Sequence, residues 1–256
     1  MRAALVAGYV IWLREVLRFI RDWPRLFGAL GQPLLYLFIV GEGLGSAFQL
    51  VHAPKGFSYV GFLYPGIIGM SVLFTSLFSG ISIIQDREFG FLREILVAPV
   101  PRWAVLLGKA AGGASTAVLQ GAILILLGPI AGVHLTVGRV LGLLLIMTLL
   151  AISLTSFALA IASRMSSLQG FQMVMNFLVM PLYFLSGAMF PINGTAGWLG
   201  TLMRLDPLMY GVDALRTILH AGSAMAPFTL RTDLLVVAAF GLVTLTIGTL
   251  GFARRA

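Results

Sequence analysis

Six long apolar stretches constrain the fold of this chain more than any other feature of its sequence. A helix needs about 20 largely apolar residues to cross the hydrocarbon core of a bilayer, and each stretch has about that length. Hydrophobic residues make up 59% of the 256 residues and charged residues only 10%, whereas soluble domains have about 45–50% and about 25%. The sequence therefore predicts an all-α membrane protein with six transmembrane helices. The predicted spans are 26–48, 59–84, 105–131, 140–163, 168–190 and 234–252.

The connections between these spans carry basic residues unevenly. Six spans place both termini on one side of the membrane, together with the loops after spans 2 and 4. That side carries Arg2, Arg14, Arg18, Arg21, Arg25, Arg87, Arg93, Arg102, Lys109, Arg164, Arg254 and Arg255, and the other side only Lys55, Arg139, Arg204, Arg216 and Arg231. Because cytoplasmic loops are enriched in Lys and Arg, we predict a multi-pass protein of the cytoplasmic (inner) membrane with both termini in the cytoplasm. The net charge of +8 follows from this signal, so nucleic acid is not an expected partner.

Residues 1–25 predict an amphipathic helix ahead of the first span. Arg14, Arg18 and Arg21 recur at helical spacing, and apolar residues fill much of the other side. Only Arg2 precedes the apolar residues, which is the wrong charge order for a cleaved secretory signal. The pattern predicts a helix that lies in the membrane interface with its basic face toward lipid headgroups.

Residues 191–233 form the longest predicted external connection, between spans 5 and 6. Asp206 and Pro207 provide a helix cap followed by proline in the first turn, and Gly222 closes the run. We expect short external helices here that dip into the outer interface or cap the outer end of a pathway. An extra span is the alternative, and the polar, glycine-containing segment after Pro191 disfavours it.

The segment 85–109, "QDREFGFLREILVAPVPRWAVLLGK", concentrates charge in an otherwise apolar chain. Asp86 is expected to open a short surface helix over 85–103, which Pro99 and Pro101 end because proline cannot continue a helix. Lys109 then marks the cytoplasmic end of span 3, where its long side chain can reach the membrane surface. A solvated loop with interfacial anchors is the alternative interpretation.

This segment resembles the cytoplasmic signature of ABC-2-type permeases. The matching elements are Asp86, Arg87, Glu88, Gly90, Leu92, Glu94, Leu96, Pro99, Val100, Arg102, Gly108 and Lys109. "MPLYFLSGAMFPI" at 180–192 and "DPLMYGVDALR" at 206–216 are similar to the fifth span and outer loop of the same family. The chain departs from the family pattern at Phe91 and at Val97-Ala98, and neither change removes the predicted helix.

The resemblance implies the membrane subunit of a bacterial ABC exporter of the drug or lipo-oligosaccharide branch. Two permease copies, expected here as a homodimer, would pair with two ABC ATPase subunits, and segment 85–103 would be the coupling helix that docks into the ATPase. The implied ATPase-coupling residues are Asp86, Arg87, Glu88, Gly90, Arg93, Glu94, Pro99 and Arg102.

The chain has no ATP-binding loop of its own. A P-loop requires a glycine where Trp103 stands and a serine or threonine where Ala110 stands. We therefore expect a transport subunit that is not an enzyme and binds no cofactor, with ATP and Mg supplied through the partner ATPase.

Polar residues inside the spans are the candidates for a translocation pathway, because polar groups are costly in a bilayer. The candidates are Gln32, Tyr36, Ser79, Gln172, Asn176 and Met180. Small hydroxylated residues such as Ser79 also suit helix–helix packing, and Gln172 is close enough to the loop to lie among headgroups.

Two other classes of function compete with the exporter. An ion-coupled secondary carrier would need acids inside its spans, and Glu42 is the only candidate identified from the sequence. A non-transporting membrane scaffold is the other alternative. For the exporter, the expected substrate is hydrophobic or amphipathic: a drug, a lipid or a lipid-linked glycan.

Overall fold

The computed structural model describes residues 2–41, 43, 59–90, 101–193, 195–220 and 226–255. Every regular element within these ranges is a helix, as the sequence predicted. The elements are α1 (Arg2–Arg21), α2 (Trp23–Leu35), a π-helical segment (Tyr36–Val40), α3 (Tyr59–Ser79), α4 (Ile81–Glu88), α5 (Arg102–Leu126), α6 (Val137–Ala162), α7 (Leu168–Leu185), α8 (Gly197–Leu205), α9 (Pro207–His220) and α10 (Leu230–Arg255).

Within the described ranges, five helices are long and apolar enough to cross a membrane, and they coincide with predicted spans 2 to 6. They are Tyr59–Glu88 (α3 with α4), Arg102–Leu126, Val137–Ala162, Leu168–Leu185 and Leu230–Gly251. The described part of predicted span 1 contains the shorter apolar helix Leu30–Val40. Pro33 inside α2 lacks the N–H that a regular helix needs, and the helix widens into the π-helical segment soon after it. Glu42 and residues 44–48 of that prediction lie outside the described residues.

Helix α3 is the centre of the bundle. All of its residues from 61 to 73 are buried, and it packs against α5, α6, α7 and α9. Phe62, Ile68 and Met70 have no exposed surface. A helix that is apolar on every side must be surrounded by other helices or by lipid, and here protein supplies that surrounding.

The two ends of the bundle are built differently. The near end is the end at which α4 stops and α5 begins, and the far end is the opposite one, which holds α8 and α9. Helix α9 begins at Pro207, and the Asp206 carboxylate caps it by accepting a hydrogen bond from the Leu208 N–H at 2.9 Å. Residues 208–209 and 211–216 of α9 are buried, because the helix packs against α3, α6 and α10.

Helix α1 packs along α5 at a glycine contact. A Cβ atom on Gly108 would lie 2.6 Å from the Gly8 carbonyl oxygen. Glycine at this position lets the two backbones approach closely, as small residues do between membrane helices. Four residues after Gly8, the Trp12 indole N–H donates to Ser115 Oγ at 3.0 Å. The glycine of the predicted Gly-Lys signature therefore holds α1 in place.

The orientation of α1 differs from the prediction. Leu5, Val6 and Tyr9 are exposed, whereas the Arg14 side chain turns toward the protein and donates to Asp86. The prediction that Arg14 faces lipid headgroups is wrong, because a carboxylate inside the protein is a stronger partner for the guanidinium. Arg18 and Arg21 are exposed. The placement of residues 1–25 in the membrane interface stays a prediction.

Candidate functional site

The charged segment at the near end begins inside a helix that continues the second span. Asp86 and Glu88 lie in the last turn of α4, not in the first turn of a separate helix as predicted. The helix ends because Gly90 adopts the left-handed conformation with φ of +76°, which only glycine adopts without strain. Arg102 then begins α5 after Pro101. Residues 91–100 of this segment, including Arg93, Glu94 and Pro99, lie outside the described residues.

Four charged side chains meet where α1, α4 and α5 converge, and we call them the near-end network: Arg14, Glu15, Asp86 and Lys109. Lys109 Nζ lies 2.6 Å from Asp86 Oδ2 and 3.2 Å from Glu15 Oε1. Arg14 Nη2 lies 2.6 Å from the same Asp86 oxygen and 3.1 Å from Glu15 Oε1. Lys109 also donates to Ser82 Oγ at 3.1 Å. Each charge contacts both charges of opposite sign, and the sum of the four is zero.

Burial makes this network costly to break. The Lys109 side chain is fully buried, and that of Asp86 is 7% exposed. The prediction that Lys109 reaches the membrane surface is therefore wrong, because two carboxylates hold its ammonium group inside the protein. Removing one partner from a buried ion pair leaves an uncompensated charge and typically costs about 3–5 kcal/mol. The network thus fixes the amphipathic helix and two spans to one another.

The predicted coupling residues separate into two groups. Asp86 belongs to the near-end network, and Arg87 donates to the Met165 carbonyl oxygen at 2.7 Å and so ties α4 to the α6–α7 connection. Glu88 and Arg102, in contrast, are exposed. Exposed aromatic rings follow each of them, with Phe89 80% exposed and Trp103 49% exposed. Asp86 and Arg87 are therefore held by contacts inside the chain, whereas Glu88 and Arg102 present exposed surface at the ends of α4 and α5.

A cavity of about 460 Å³ lies beside the near-end network, between α1, α2, α3, α4, α5 and α7. Pockets that hold small molecules commonly measure about 300–1,000 Å³, so the volume is sufficient for one. One part of its wall is apolar and aromatic, and the other part carries amides and a hydroxyl. The lining residues are Arg18, Phe19, Asp22, Gly28, Gln32, Pro33, Phe74, Thr75, Phe78, Ile81, Gln85, Gln120 and Gln172.

Only two of the predicted pathway residues, Gln32 and Gln172, line this cavity. Tyr36 instead packs edge to face against Tyr183, with 6.1 Å between ring centroids. Ser79 donates to the Ser76 carbonyl oxygen at 2.6 Å and lies beside Gly113, which fits the alternative of a packing surface. Asn176 and Met180 are exposed on one face of α7, together with Met173 and Phe177.

The sequence interpretation missed Gln120, a fully buried amide in the second half of α5. It lines the cavity and accepts a hydrogen bond from the Thr75 hydroxyl. In the sequence, Gln120 stands out as a lone amide within the apolar run "AVLQGAIL" at 117–124. Polar groups inside a membrane span are costly, and those that occur there are often functional. Phe74 and Phe78, whose stacked rings form the apolar wall, were missed because aromatic residues in a span are not distinctive.

The far end holds a second group of buried charges, which we call the far-end cluster: Asp213, Arg216 and Asp233. Arg216 donates to the Gly187 carbonyl oxygen at 2.9 Å and lies over the Phe62 ring, 4.4 Å from its centroid. Its distance to Asp213 is 4.0 Å. Asp233, in the first turn of α10, is fully buried, and neither of its carboxylate oxygens has a hydrogen-bond partner within the described residues.

Burial changes the ionisation of the far-end carboxyl groups outside the spans. It raises the pKa of Asp213 to about 6, although Arg216 and the Phe228 N–H oppose the rise. It raises the pKa of Asp206 to about 8, against the hydrogen bond from Leu208. These groups accept protons far more readily than ordinary aspartates, because a buried carboxylate loses its hydration.

Comparison with known proteins assigns the chain to a family. A family model described as ABC-2 type transporter matches residues 7–220, which include the near-end network and the cavity. The chain belongs to the ABC-2 type transporter family. Its relatives include Nodulation protein J of Rhizobium meliloti (strain 1021), which is 30% identical over 259 residues that cover 91% of this chain and 95% of that protein.

Two further relatives carry the word permease in their names. Inner membrane transport permease YadH of Escherichia coli (strain K12) is 29% identical over 217 residues, which cover 82% of each chain. Putative transport permease ycf38 of Cyanophora paradoxa is 31% identical over 194 residues, which cover 75% of this chain and 66% of that protein. The family resemblance inferred from the sequence is confirmed, and with it a role in membrane transport. Members of this ABC-2 family in general work with an ABC ATPase partner.

Proposed function

We propose that this ABC-2 family member is the permease subunit of an ATP-driven exporter in the inner membrane. Two copies would form the translocation pathway and two ABC ATPase subunits would supply ATP hydrolysis and Mg, with both termini on the ATPase side. The observation that carries the proposal is the exposed pair of charges, Glu88 and Arg102, at the ends of the two helices that the buried near-end network joins.

The exposed pair has the properties of a docking site. Glu88 and Arg102 carry opposite charges, which favour orientation and specificity in a protein interface. Phe89 and Trp103 present apolar surface next to them, and aromatic residues are enriched where interfaces bury most energy. An ATPase that binds here would contact the ends of both α4 and α5.

The near-end network explains how such contact would move the spans. Asp86 lies two residues before Glu88, and Lys109 lies two turns after Arg102, so the network joins the two helices just inside the docking surface. Glu15 and Arg14 attach α1 to the same point. Displacement of the exposed surface would therefore move α1, α4 and α5 together rather than bending one loop.

The cavity supports a substrate that is partly apolar and partly polar. Phe74 and Phe78 offer an aromatic wall, and Gln32, Thr75 and Gln120 offer hydrogen-bonding groups. A hydrophobic drug, a lipid or a lipid-linked glycan would satisfy this description. We propose that the cavity is one subunit's share of the pathway.

Charge reversal tests the docking surface. The tagged chain is purified in mild detergent from membranes that contain its ATPase, and the co-purified ATP hydrolysis is measured. Glu88→Lys and Arg102→Glu are each expected to lower it at least tenfold, because like charges opposed at an interface repel and cost more than about 1.4 kcal/mol. Arg231→Glu, an equally exposed reversal at the far end, is the control and is expected to have no effect.

The proposal is contradicted if both reversed variants co-purify with as much ATP hydrolysis as the wild type. Wild-type chain that purifies without any ATP-hydrolysing subunit would instead favour an ion-coupled carrier or a scaffold.

A further inference from the structure

Asp233 is a buried carboxyl group without a hydrogen-bond donor. It lies in the first turn of α10, has no exposed surface, and neither of its oxygens has a partner in the part of the chain that the structure describes. Val237, one turn further along the same face of the helix, is 3% exposed. Native proteins pair nearly all buried polar atoms, so a buried carboxyl group with two unpaired oxygens requires an explanation.

Capping of α10 does not explain this carboxyl group. Acidic residues in the first turn of a helix commonly interact with the free N–H groups of that turn. In α10 the Thr229 side chain takes this role, since its Oγ1 accepts from the Thr232 N–H at 3.3 Å. The Asp233 side chain therefore lies inside the protein without serving as a cap.

The bases of the surrounding helices are engaged elsewhere. Helix α10 packs against α5, α6 and α9. On α9, Arg216 binds a backbone carbonyl and lies over an aromatic ring, and on α6, Arg139 donates to a loop carbonyl oxygen at 2.9 Å. The charged residues of α5 lie at the near end, and Arg231 on α10 itself is exposed. Within the described ranges, none of these bases neutralises Asp233.

Two further titratable side chains of α9, Tyr210 and His220, also have other partners. The Tyr210 hydroxyl donates to the Arg204 carbonyl oxygen at 2.8 Å, and the His220 ring contacts the Gly61 carbonyl oxygen at 3.1 Å. These contacts hold both side chains away from the Asp233 carboxyl group.

Asp213 adds a second negative charge on the facing helix. One of its oxygens accepts from the Phe228 N–H at 3.1 Å, and the other lies 4.0 Å from the Arg216 guanidinium. Its charge repels a charge on Asp233, and like charges close together disfavour ionisation of both groups. Two carboxyl groups thus share one base, so the far-end cluster is neutral only when one carboxyl group carries a proton.

We propose that Asp233 is a proton-binding site: its carboxyl group holds a proton while α10 packs against α9, and loss of that proton to water releases the first turn of α10. Asp213 is the group that stays ionised, because it has an N–H donor and a guanidinium beside it. An ionised Asp233 would have neither, and a buried carboxylate without partners is far more costly than a neutral carboxyl group. The inference goes beyond the proposed function, since it concerns the end of the bundle opposite the docking surface and requires no ATPase.

The absence of cysteine from the sequence allows a direct test. Val237→Cys places a single thiol one turn from Asp233, in one chain that keeps Asp233 and in another that carries Asp233→Asn, whose amide is neutral at every pH. A charged methanethiosulfonate reagent, which attacks from water, labels the detergent-purified chains at pH 6 and at pH 8.5. The thiol becomes more reactive with pH in both chains, so the ratio of the two labelling rates reports the release of α10.

We expect a ratio near one at pH 6, where Asp233 keeps its proton and resembles asparagine. At pH 8.5 the chain with Asp233 should react at least about tenfold faster than the Asp233→Asn chain, because an equilibrium linked to the release of one proton shifts by up to about tenfold per pH unit. Arg231→Cys, at an exposed position of the same helix, is the control and should give a ratio near one at both pH values.

Two labelling results would overturn the proposal. A ratio near one at pH 8.5 would mean that ionisation of Asp233 does not release α10. Faster labelling of the Asp233→Asn chain at pH 6 would mean that Asp233 is ionised in the packed state and pairs with a base. Lys55, which lies outside the described residues, would be the candidate for that base.

A second variant covers loss of folding in Asp233→Asn. Asp233→Leu is also neutral and has a similar size, so it should keep α10 packed at pH 8.5. If neither neutral variant folds while the wild type does, the carboxylate itself is needed and the proposal is wrong. Infrared spectra at pH 6 give an independent measurement: the carbonyl band of protonated carboxyl groups should be smaller in Asp233→Asn than in the wild type by one group, and equal bands would contradict the proposal.

Discussion

Both ends of the bundle bury charged side chains, but the two groups are paired in different ways. In the near-end network, two bases and two acids contact one another at 2.6–3.2 Å. In the far-end cluster, Arg216 relies on the Gly187 carbonyl and the Phe62 ring, and the Asp233 carboxylate has no partner within the described residues. In the near-end network every charge has two partners of opposite sign, whereas the far-end cluster has more carboxyl groups than bases, and burial raises the pKa of its Asp213 to about 6.

The largest expected effect is the loss of one charge from each group. Lys109→Met leaves Asp86 and Glu15 with a single base, and we expect a loss of about 3–5 kcal/mol in the free energy of unfolding. Arg216→Met is expected to cost less, about 1.5–3 kcal/mol for its hydrogen bond, because Asp213 can then be protonated. Thermal unfolding midpoints of the purified variants, with the exposed Arg231→Met as control, give the comparison.

A compensating change separates charge balance from packing. Glu15→Gln added to Lys109→Met restores equal numbers of acids and bases in the near-end network. The double variant is expected to regain part of the lost stability. A midpoint no higher than that of Lys109→Met alone would show that the methylene packing of Lys109, not its charge, is the cause.

Glycine contacts give the next largest effect. Gly108→Ala places a Cβ 2.6 Å from the Gly8 carbonyl oxygen at the near end, and Gly66→Ala places one 2.7 Å from Ala188 Cα near the far end. Each is expected to destabilise the chain by about 1–3 kcal/mol, because backbone must move. Gly138→Ala meets no atom within 4 Å and is the matched control. Expression yield and unfolding midpoint are the measurements, and a neutral Gly108→Ala would mean that α1 is loosely held.

The dependence on pH is the last and sharpest test of the contrast. The raised pKa values of Asp213 and Asp206, about 6 and about 8, mean that the folded chain binds more protons than the unfolded chain above about pH 4. Stability from this source is therefore lost as the pH rises from about 4 to about 8, and it levels off above that. We expect the unfolding midpoint to be lower at pH 8 than at pH 5, by at least a few degrees.

Asp206→Asn isolates one of these groups. Asparagine keeps the hydrogen bond that caps α9 but cannot ionise, so the fall in the midpoint between pH 6 and pH 8 should become shallower. If the midpoint of the variant falls with pH as steeply as that of the wild type, Asp206 is not a source of the pH dependence.

The sequence predicted those features that depend on local pattern. Apolar runs located spans 2 to 6, and the Asp206-Pro207 pair located the start of α9. Span 5 was predicted to reach residue 190 but ends at Leu185, because Gly187 adopts a φ of +70° that hydropathy does not report. The near-end network lay beyond sequence reasoning, since its members come from three helices and their pairing depends on how those helices pack.

The sequence predicted only part of the candidate site, because the cavity is also formed by side chains from several helices. Gln32 and Gln172 were recognised as polar residues in spans, and the structure brings both to one cavity. Gln120 carries the same signal, but spans 1, 2 and 5 alone were considered as sources of pathway residues. Asp233 was assigned to an external connection, and its burial depends on contacts that α9 and α10 make only in the folded chain.

The pairing of Glu15 with Lys109 has a consequence for synthesis. The two residues are 94 positions apart, so at translation rates of about 5–20 residues per second the first helix waits roughly 5–20 s for its last partner. During that interval Arg14 is the one base of the near-end network that has been made, and it faces the two acids Glu15 and Asp86, which leaves one negative charge in excess. The emergence of α5 brings Lys109, which neutralises this charge, so α1 can dock fully onto the bundle only after α5 has begun to form.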